Sequence, residues 1–539
     1  MPRIPVRKEA IDNTQELLAV EPTRTRSRQW MARVQQRRWY IAAALLPLVL
    51  VALIPTIVAH SPIFTSVIRS ASADLNGTVS VRSASLGWFT GVRLWGLEIR
   101  DDRDQVVLEA PEVVGNRSLL GLLWDKSDLG RFRVQEPKCY VALRDNGSNI
   151  EDLLQKYLSG STANLAMDVA VEVVEGSLEI HDDRANKSWQ VDKLQTAFHR
   201  PLDRNKPITV AAAGVVPDGK TAGQFALALK LAQAGAKSKA ATGGAEFTLK
   251  SEGLPLAALN PLVSRVVPKT RMGGRLDSTV ECVWNSAEAP DKLAISGSLA
   301  AHQFTFTSAA LGTDQIETAR LQANCQMTWQ DGQLQVDRLV AESDVGNASL
   351  VGLFQMGGDG SPSWLRQGYE VQGQVDLARL ARMIPATLRV RQGTQITSGQ
   401  VNLAFVSQPG PEGMSWRGRF ETTNLTATKG GNRLAWDRPM LVTLAARETA
   451  QGPVVETLRC ESSFLNVNLS GNRERMTGTA TFDLSRLASQ LSGFVDLGSV
   501  RLAGDGTATF TWKRAADRGF EADADLQVRS LQLALPNRP

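Results

Sequence analysis

The chain has 539 residues, 43% of them hydrophobic and 21% charged, with 60 Lys and Arg against 55 Asp and Glu and a formal net charge of +5. Residues 1–38 hold nine bases and four acids, so the remaining chain carries 51 charges of each sign. A neutral remainder excludes a nucleic-acid footprint, which needs bases clustered on the binding domain.

Residues 1–38 read as a basic cytoplasmic tail. Trp39 to Ala59 follows without one charge and with eleven Leu, Ile and Val residues between Ile41 and Val58. About 20 apolar residues suffice to cross a bilayer as a helix, and Trp39 and Tyr40 stand where an interfacial aromatic belt stands. Residues 39–59 are therefore expected to span a membrane, with Pro47 and Pro55 tolerated where neighbouring groups satisfy the backbone. Arg24, Arg26, Arg28, Arg33, Arg37 and Arg38 lie upstream, and only Arg69 lies between the run and Asp74. That asymmetry places the N-terminus in the cytoplasm and the bulk of the chain across the membrane. Ala71-Ser72-Ala73 has the form of a signal-peptide cleavage site, but it is too far from an apolar run that is itself too long.

Ser61-Pro62 reads as a helix start, leading to a short amphipathic pattern through Ile63, Phe64, Val67 and Ile68. From Thr78 the apolar period becomes two: Val79 and Val81, then Trp95, Leu97 and Ile99, a turn at Asp101 to Asp104, and a return strand from Val106. Leu119 to Trp124 is a short apolar segment. Phe132 to Glu136 and Cys139 to Leu143 read as a further strand pair about Pro137, and Asn149 to Leu154 as a helical turn. This order includes Leu75-Asn76-Gly77-Thr78-Val79-Ser80-Val81, Val92-Arg93-Leu94-Trp95-Gly96-Leu97-Glu98-Ile99-Arg100-Asp101, Glu136-Pro137-Lys138-Cys139-Tyr140-Val141 and Asp145-Asn146-Gly147-Ser148-Asn149-Ile150. Over residues 39–158 it resembles the N-terminal region of the AsmA-like family, which includes TamB: inner-membrane-anchored bacterial envelope proteins with a chorein-like N-terminal region.

Residues 159–539 continue as alternating strands. Val169, Val171 and Val173 form one apolar face; so do Phe225, Leu227, Leu229 and Leu231, then Leu334 and Val336 after the Asp331-Gly332 turn, and Leu465, Val467 and Leu469. Polar residues alternate with them, the mark of half-buried antiparallel sheet. Ala232 to Gly244, rich in Ala, Gly, Lys and Ser, is a loop. A repeat of strand, short helix, Gly and strand recurs near residues 254–284, 375–405 and 482–512, with Leu256, Leu259, Leu377, Leu380, Leu484 and Leu487 on the helices.

Enzyme signatures are absent: there is no G-x-S-x-G, H-E-x-x-H or P-loop, and His181-Asp182-Asp183 reads as a solvated hairpin end rather than a metal or acid–base corner. No cofactor and no metal are expected. Cys139, Cys282, Cys325 and Cys460 have no metal-ligand spacing; three disulfide pairings are open, as are four free thiols. Twelve Trp against four Tyr is an unusual balance, and Trp284, Trp329 and Trp512 each close an alternating strand.

The expected fold is thus mostly β: an N-terminal transmembrane helix, then an elongated antiparallel sheet with short helices inserted between strand sets. The family resemblance implies a curved sheet whose apolar face is an open groove for acyl chains. It implies phospholipid transport and outer-membrane biogenesis from a single-pass inner-membrane site, with phospholipids and an outer-membrane or envelope protein as partners. The four apolar sets above are the groove candidates. Periodicity alone equally allows a non-catalytic assembly or scaffold protein built of β-sandwich-like domains.

Overall fold

The computed structural model describes residues 46, 49–144, 147–158, 167–183, 186–219, 221–233, 244–286, 289–355, 367–436, 438–496, 500–514 and 520–534. The tail 1–38, positions 39–45, 47 and 48 of the expected span, and residues 234–243 of the expected loop lie outside them. The protein is mostly β, and its 26 described strands belong to a single sheet.

Strands β1 (Gly77–Ser85), β2 (Gly91–Asp101) and β3 (Val106–Ser118) pair antiparallel in order. The next two, β4 (Asp128–Gln135) and β5 (Lys138–Arg144), are not the pair that alternation suggested. Both lie antiparallel to β3 and parallel to β7 (Asp168–Asp182), one after the other along a single line. Pro137 interrupts the ladder because it has no N–H. Glu136 takes φ 46°, and the chain bulges there without reversing. The sheet is therefore antiparallel except at β7, which is reached through β6 (Gly147–Ser148) and the helices α4 (Asn149–Leu153) and α5 (Gln155–Leu158) introduced below.

From β7 the chain meanders antiparallel. The strands are β8 (Lys187–Arg200), β9 (Ile208–Asp218), β10 (Thr221–Leu231), β11 (Ala245–Pro255), β12 (Arg271–Ser286), β13 (Ala289–Thr307), β14 (Ile316–Gln330), β15 (Gln333–Ser343), β16 (Gly346–Gln355) and β17 (Tyr369–Asp376). They continue as β18 (Thr394–Gly410), β19 (Gly413–Lys429), β20 (Asn432–Ala435), β21 (Leu441–Thr449), β22 (Gly452–Glu461), β23 (Leu465–Asn472), β24 (Arg475–Asp483), β25 (Arg501–Arg514) and β26 (Phe520–Ala534). Among the strands from β8 onward only β19 branches, pairing with β20 at one end and β21 at the other. A row of sandwich domains would instead give separate pairs of sheets.

Helices are short: α1 (Val49–Ala59), α2 (Pro62–Ala71), α3 (Leu119–Trp124), α4, α5, a 3₁₀ turn at Leu256–Leu259, α6 (Asn260–Val266), α7 (Leu377–Met383) and α8 (Leu484–Phe494). No single helix among the described residues is long and apolar enough to cross a membrane. Helices α1 and α2 have the length and composition together but bend by 63°. Ser61 precedes α2 but does not cap it; its hydroxyl donates to the Val58 carbonyl at 3.0 Å. Two of the three repeated helices do have side-chain caps, while the 3₁₀ turn at Leu256–Leu259 has none. Asp376 accepts from the amides of Ala378 and Arg379, and Asp483 from that of Arg486. Satisfying orphan amides this way converts a strand end into a helix start.

Antiparallel strands reverse at each step, so the connections β11–β12, β17–β18 and β24–β25 all leave from one margin of the sheet. Their helical inserts meet there. The Arg391 amide donates to Phe494 O at 3.0 Å, and the Asp496 amide to Arg389 O at 2.8 Å. Arg265 of α6 reaches Glu151 of α4, and the buried Asp314 accepts from the amides of Ala386 and Thr387. Trp436 packs on Phe464 and Phe494 with centroids 5.6 and 5.8 Å away. A small core of Val191, Val216 and Leu254 forms where the 3₁₀ turn covers the sheet, with Phe225 and Leu259 against it.

Candidate functional site: one uncharged sheet face

Directly paired residues carry their side chains on the same side of a sheet. The register can therefore be followed across strands. Beginning at β1, the paired residues run Ala84, Leu94, Val113, Val134, Val173, Thr196, Ala212 and Leu227. They continue as Leu249, Val280, Gly297, Cys325, Leu339, Leu350, Val371 and Phe405. The row ends with Gly418, Leu444, Leu458, Leu469, Gly478, Phe510 and Ala524 on β26. Thr196 is its one polar member, and no member is charged. At about 4.8 Å per strand the row is on the order of 100 Å long.

All twelve groove candidates fall on this face. Val173, Leu227 and Leu469 are in the row itself. Val171, Leu229 and Val336 lie in the adjoining row, which also carries Phe247, Ile295, Met327 and Tyr369. Phe225 and Val467 lie on the other flank, while Val169, Leu231, Leu334 and Leu465 sit nearer the margins. Val336 is buried at 2% exposure, and the other eleven are half-buried. The bulges at Gln326/Met327 and Val336/Leu339 preserve this sidedness where the register shifts.

The opposite face is polar. Lys230 and Glu246, paired on β10 and β11, form an ion pair at 2.8 Å, and Arg133 meets Glu172 at 3.1 Å. His199 contacts Asp168 at 3.2 Å and His302 contacts Asp277 at 3.1 Å. His181 lies near the β7–β8 hairpin, with Ser188 Oγ at 3.0 Å from Nδ1 and Asp183 at 3.6 Å from Nε2. These three histidines are open to solvent, but Asp182, between His181 and Asp183, is buried, so the expected solvated hairpin end holds only for its neighbours. No cluster of three metal-ligating side chains occurs among the described residues.

Buried serine hydroxyls on the apolar face have partners. Ser251 and Ser278 are buried with their oxygens 2.7 Å apart, and Ser251 also donates to Leu276 O. Ser407 donates to Gln367 O at 2.7 Å. These groups offer an apolar ligand no stranded donor.

Two features of the face were not legible from spacing. All four cysteines lie on it as free thiols, small hydrophobes in effect. Burial pushes the Cys139 thiol up to about 11. The tryptophans that close strands also line up. Trp284 pairs with Leu293, Leu293 with Trp329, Trp329 with Leu334 and Leu334 with Phe354. Together they edge the apolar face on the margin opposite the helical inserts. The available signal was Trp set one or two residues before a turn, in Trp284-Asn285 and Trp329-Gln330-Asp331-Gly332.

The arrangement offers chemistry of one kind. It is a long strip of methyl, methylene, thiol and ring surface, half open, with charge held to the reverse side. No protein-family model matches the chain, and no curated protein matches it.

Proposed function

We propose that the protein is a single-pass inner-membrane protein whose uncharged sheet face holds phospholipid acyl chains and lets them pass between membranes, in support of outer-membrane biogenesis. The observation that carries this reading is the uncharged register row from Ala84 to Ala524, apolar at every position but Thr196. A sheet that only stabilised itself would seal such a face beneath a second layer. Here eleven of the twelve candidate side chains stay half-open. Apolar surface gains about 25 cal/mol per Å² on leaving water, so an acyl chain and the strip each benefit from covering the other. The resemblance of residues 39–158 to AsmA-like proteins and the positive-inside asymmetry of the tail support the location. The reading involves no catalytic centre and no cofactor.

The test is mass spectrometry of lipid extracted from the full-length protein after mild detergent purification. Phospholipid should be present and should fall when Leu350→Glu places a charge in mid-row. Lipid-free protein, or equal lipid in both, would sink the proposal. A second reading, a scaffold that captures a partner strand, is favoured by β26. Its 15 residues pair with β25 alone among the described strands, and an open edge of that length is a template for strand addition. It would predict a protein partner lost on proline substitution in β26 and no lipid.

A further inference from the structure

The chain has an exposed apolar corner that neither the strip nor the helical margin uses. Phe89, in the β1–β2 loop, is 86% exposed, and Trp124, ending α3, is 85% exposed. Leu123 beside it is 61% exposed. Surface leucines scattered singly need no explanation, but a contiguous apolar patch marks an interaction site. Backbone hydrogen bonds tie this patch together: the amides of Leu119 and Leu120 donate to the carbonyls of Gly87 and Trp88. Loop and helix are one unit.

That unit is also fixed to α1. The indole N–H of Trp88 donates to the Val51 carbonyl at 2.8 Å. The reason lies in the sequence. In a helix, Val51 O would accept from the amide four residues on, but that residue is Pro55, which has no N–H. The indole supplies the missing donor, and Pro55 is itself fully buried. By contrast most of α1 is bare: Leu50, Leu53 and Ile57 are each close to half exposed or more.

We propose that the corner Phe89–Leu123–Trp124 is a second membrane-inserting element, which seats the first strands of the sheet in the bilayer alongside the anchoring helix. The partner is the acyl region of a phospholipid bilayer, identified by continuity with the uncharged run Trp39–Ala59. Val51 lies eight residues before the end of that run. At 1.5 Å per residue this places its carbonyl up to about 12 Å below the membrane surface, within the roughly 15 Å half-thickness of a hydrocarbon core. Trp88 is bonded at that depth, so Phe89 and α3 go in with it. Asp125 and Lys126, both exposed, mark where the chain returns to the headgroup level. This places the start of the apolar row beside the lipid it would accept. The inference rests on the membrane-anchored reading above.

The test uses the full-length chain in vesicles of phosphatidylcholine and phosphatidylglycerol, with a benzophenone amino acid replacing Leu50, Phe89, Trp124 or, as the comparator, the exposed Leu262 on α6. Irradiated products are weighed for phospholipid adducts. Melting curves should match the parent, since the replaced side chains are exposed on the surface of the protein rather than packed within it. Adducts at positions 50, 89 and 124, severalfold above those at 262, are expected. Adducts at 50 with only the comparator's yield at 89 and 124 overturn this inference and leave the anchor standing. Absence of adducts at 50 as well overturns the anchored reading and this inference with it.

Discussion

Leu227→Asp separates an open face from a sealed one. Leu227 stands between Ala212 and Leu249 across the strands, and between Phe225 and Leu229 along β10. Its side chain is half-buried. Fully burying a leucine contributes about 1.5–3 kcal/mol, so losing this partial burial should cost about 1–2 kcal/mol. The carboxylate decides what is added. Beneath a second layer it would be an uncompensated buried charge, costing about 3–5 kcal/mol more and enough to melt the surrounding strands, given total stabilities of about 5–15 kcal/mol. On the open face it rotates into water, and the loss stays near 2 kcal/mol, a shift of a few degrees in a chain of this size. Ala228→Asp, between Ala211 and Thr248 on the polar side, should change stability by less than about 0.5 kcal/mol. The assay is thermal melting and phospholipid per mole of protein for both variants and the parent. Leu227→Asp should stay folded with depleted lipid. Outright unfolding refutes the open face, and a folded variant with undiminished lipid refutes its role.

Other outcomes follow from single side chains. Trp436→Phe should alter stability by less than about 1 kcal/mol, because the ring contacts persist while its buried indole N–H, which has no partner, is removed; Phe464→Ala beside it should cost about 3–5 kcal/mol in chemical denaturation. Maleimide labelling of Cys139 in the folded protein should be slow at neutral pH and accelerate toward pH 11, where burial has moved its ionisation; fast labelling at pH 7 would contradict that. For Asp314, burial works to raise the carboxyl pKa, but hydrogen bonds from Thr387 and Ala386 outweigh it and hold the value below 3.8. Its contribution is therefore complete above the ordinary carboxylate range and lost as pH falls through the lowered folded value. Hydrogen exchange in residues 385–391 should accelerate only under strong acid, and Asp314→Asn should bring that acceleration to neutral pH. Cysteine accessibility should place position 72 outside the cytoplasm, as the arginine asymmetry requires.

Much of this protein is local and therefore readable in sequence. Alternation assigns Phe225, Leu227, Leu229 and Leu231 to one side of a strand because successive side chains must point opposite ways. Asp376 and Asp483 announce helices because a carboxylate at a strand end captures free amides. Sequence cannot say which strand lies beside which, since pairing depends on register between residues distant in the chain. The collinear β4 and β5 with their parallel partner β7, which alternation alone gives as a strand pair, show this: Pro137 marks an interruption, and only the neighbouring strands decide whether the chain turns or continues. The same holds for the site. Leu227, Val371 and Leu469 are separately unremarkable aliphatic residues, and it is the accumulated pairing of strand on strand that sets them in one uncharged row. Trp88 and Val51 are 37 residues apart. Pro55 foretells that a carbonyl four residues earlier lacks its donor, but only tertiary contact determines that an indole fills the gap.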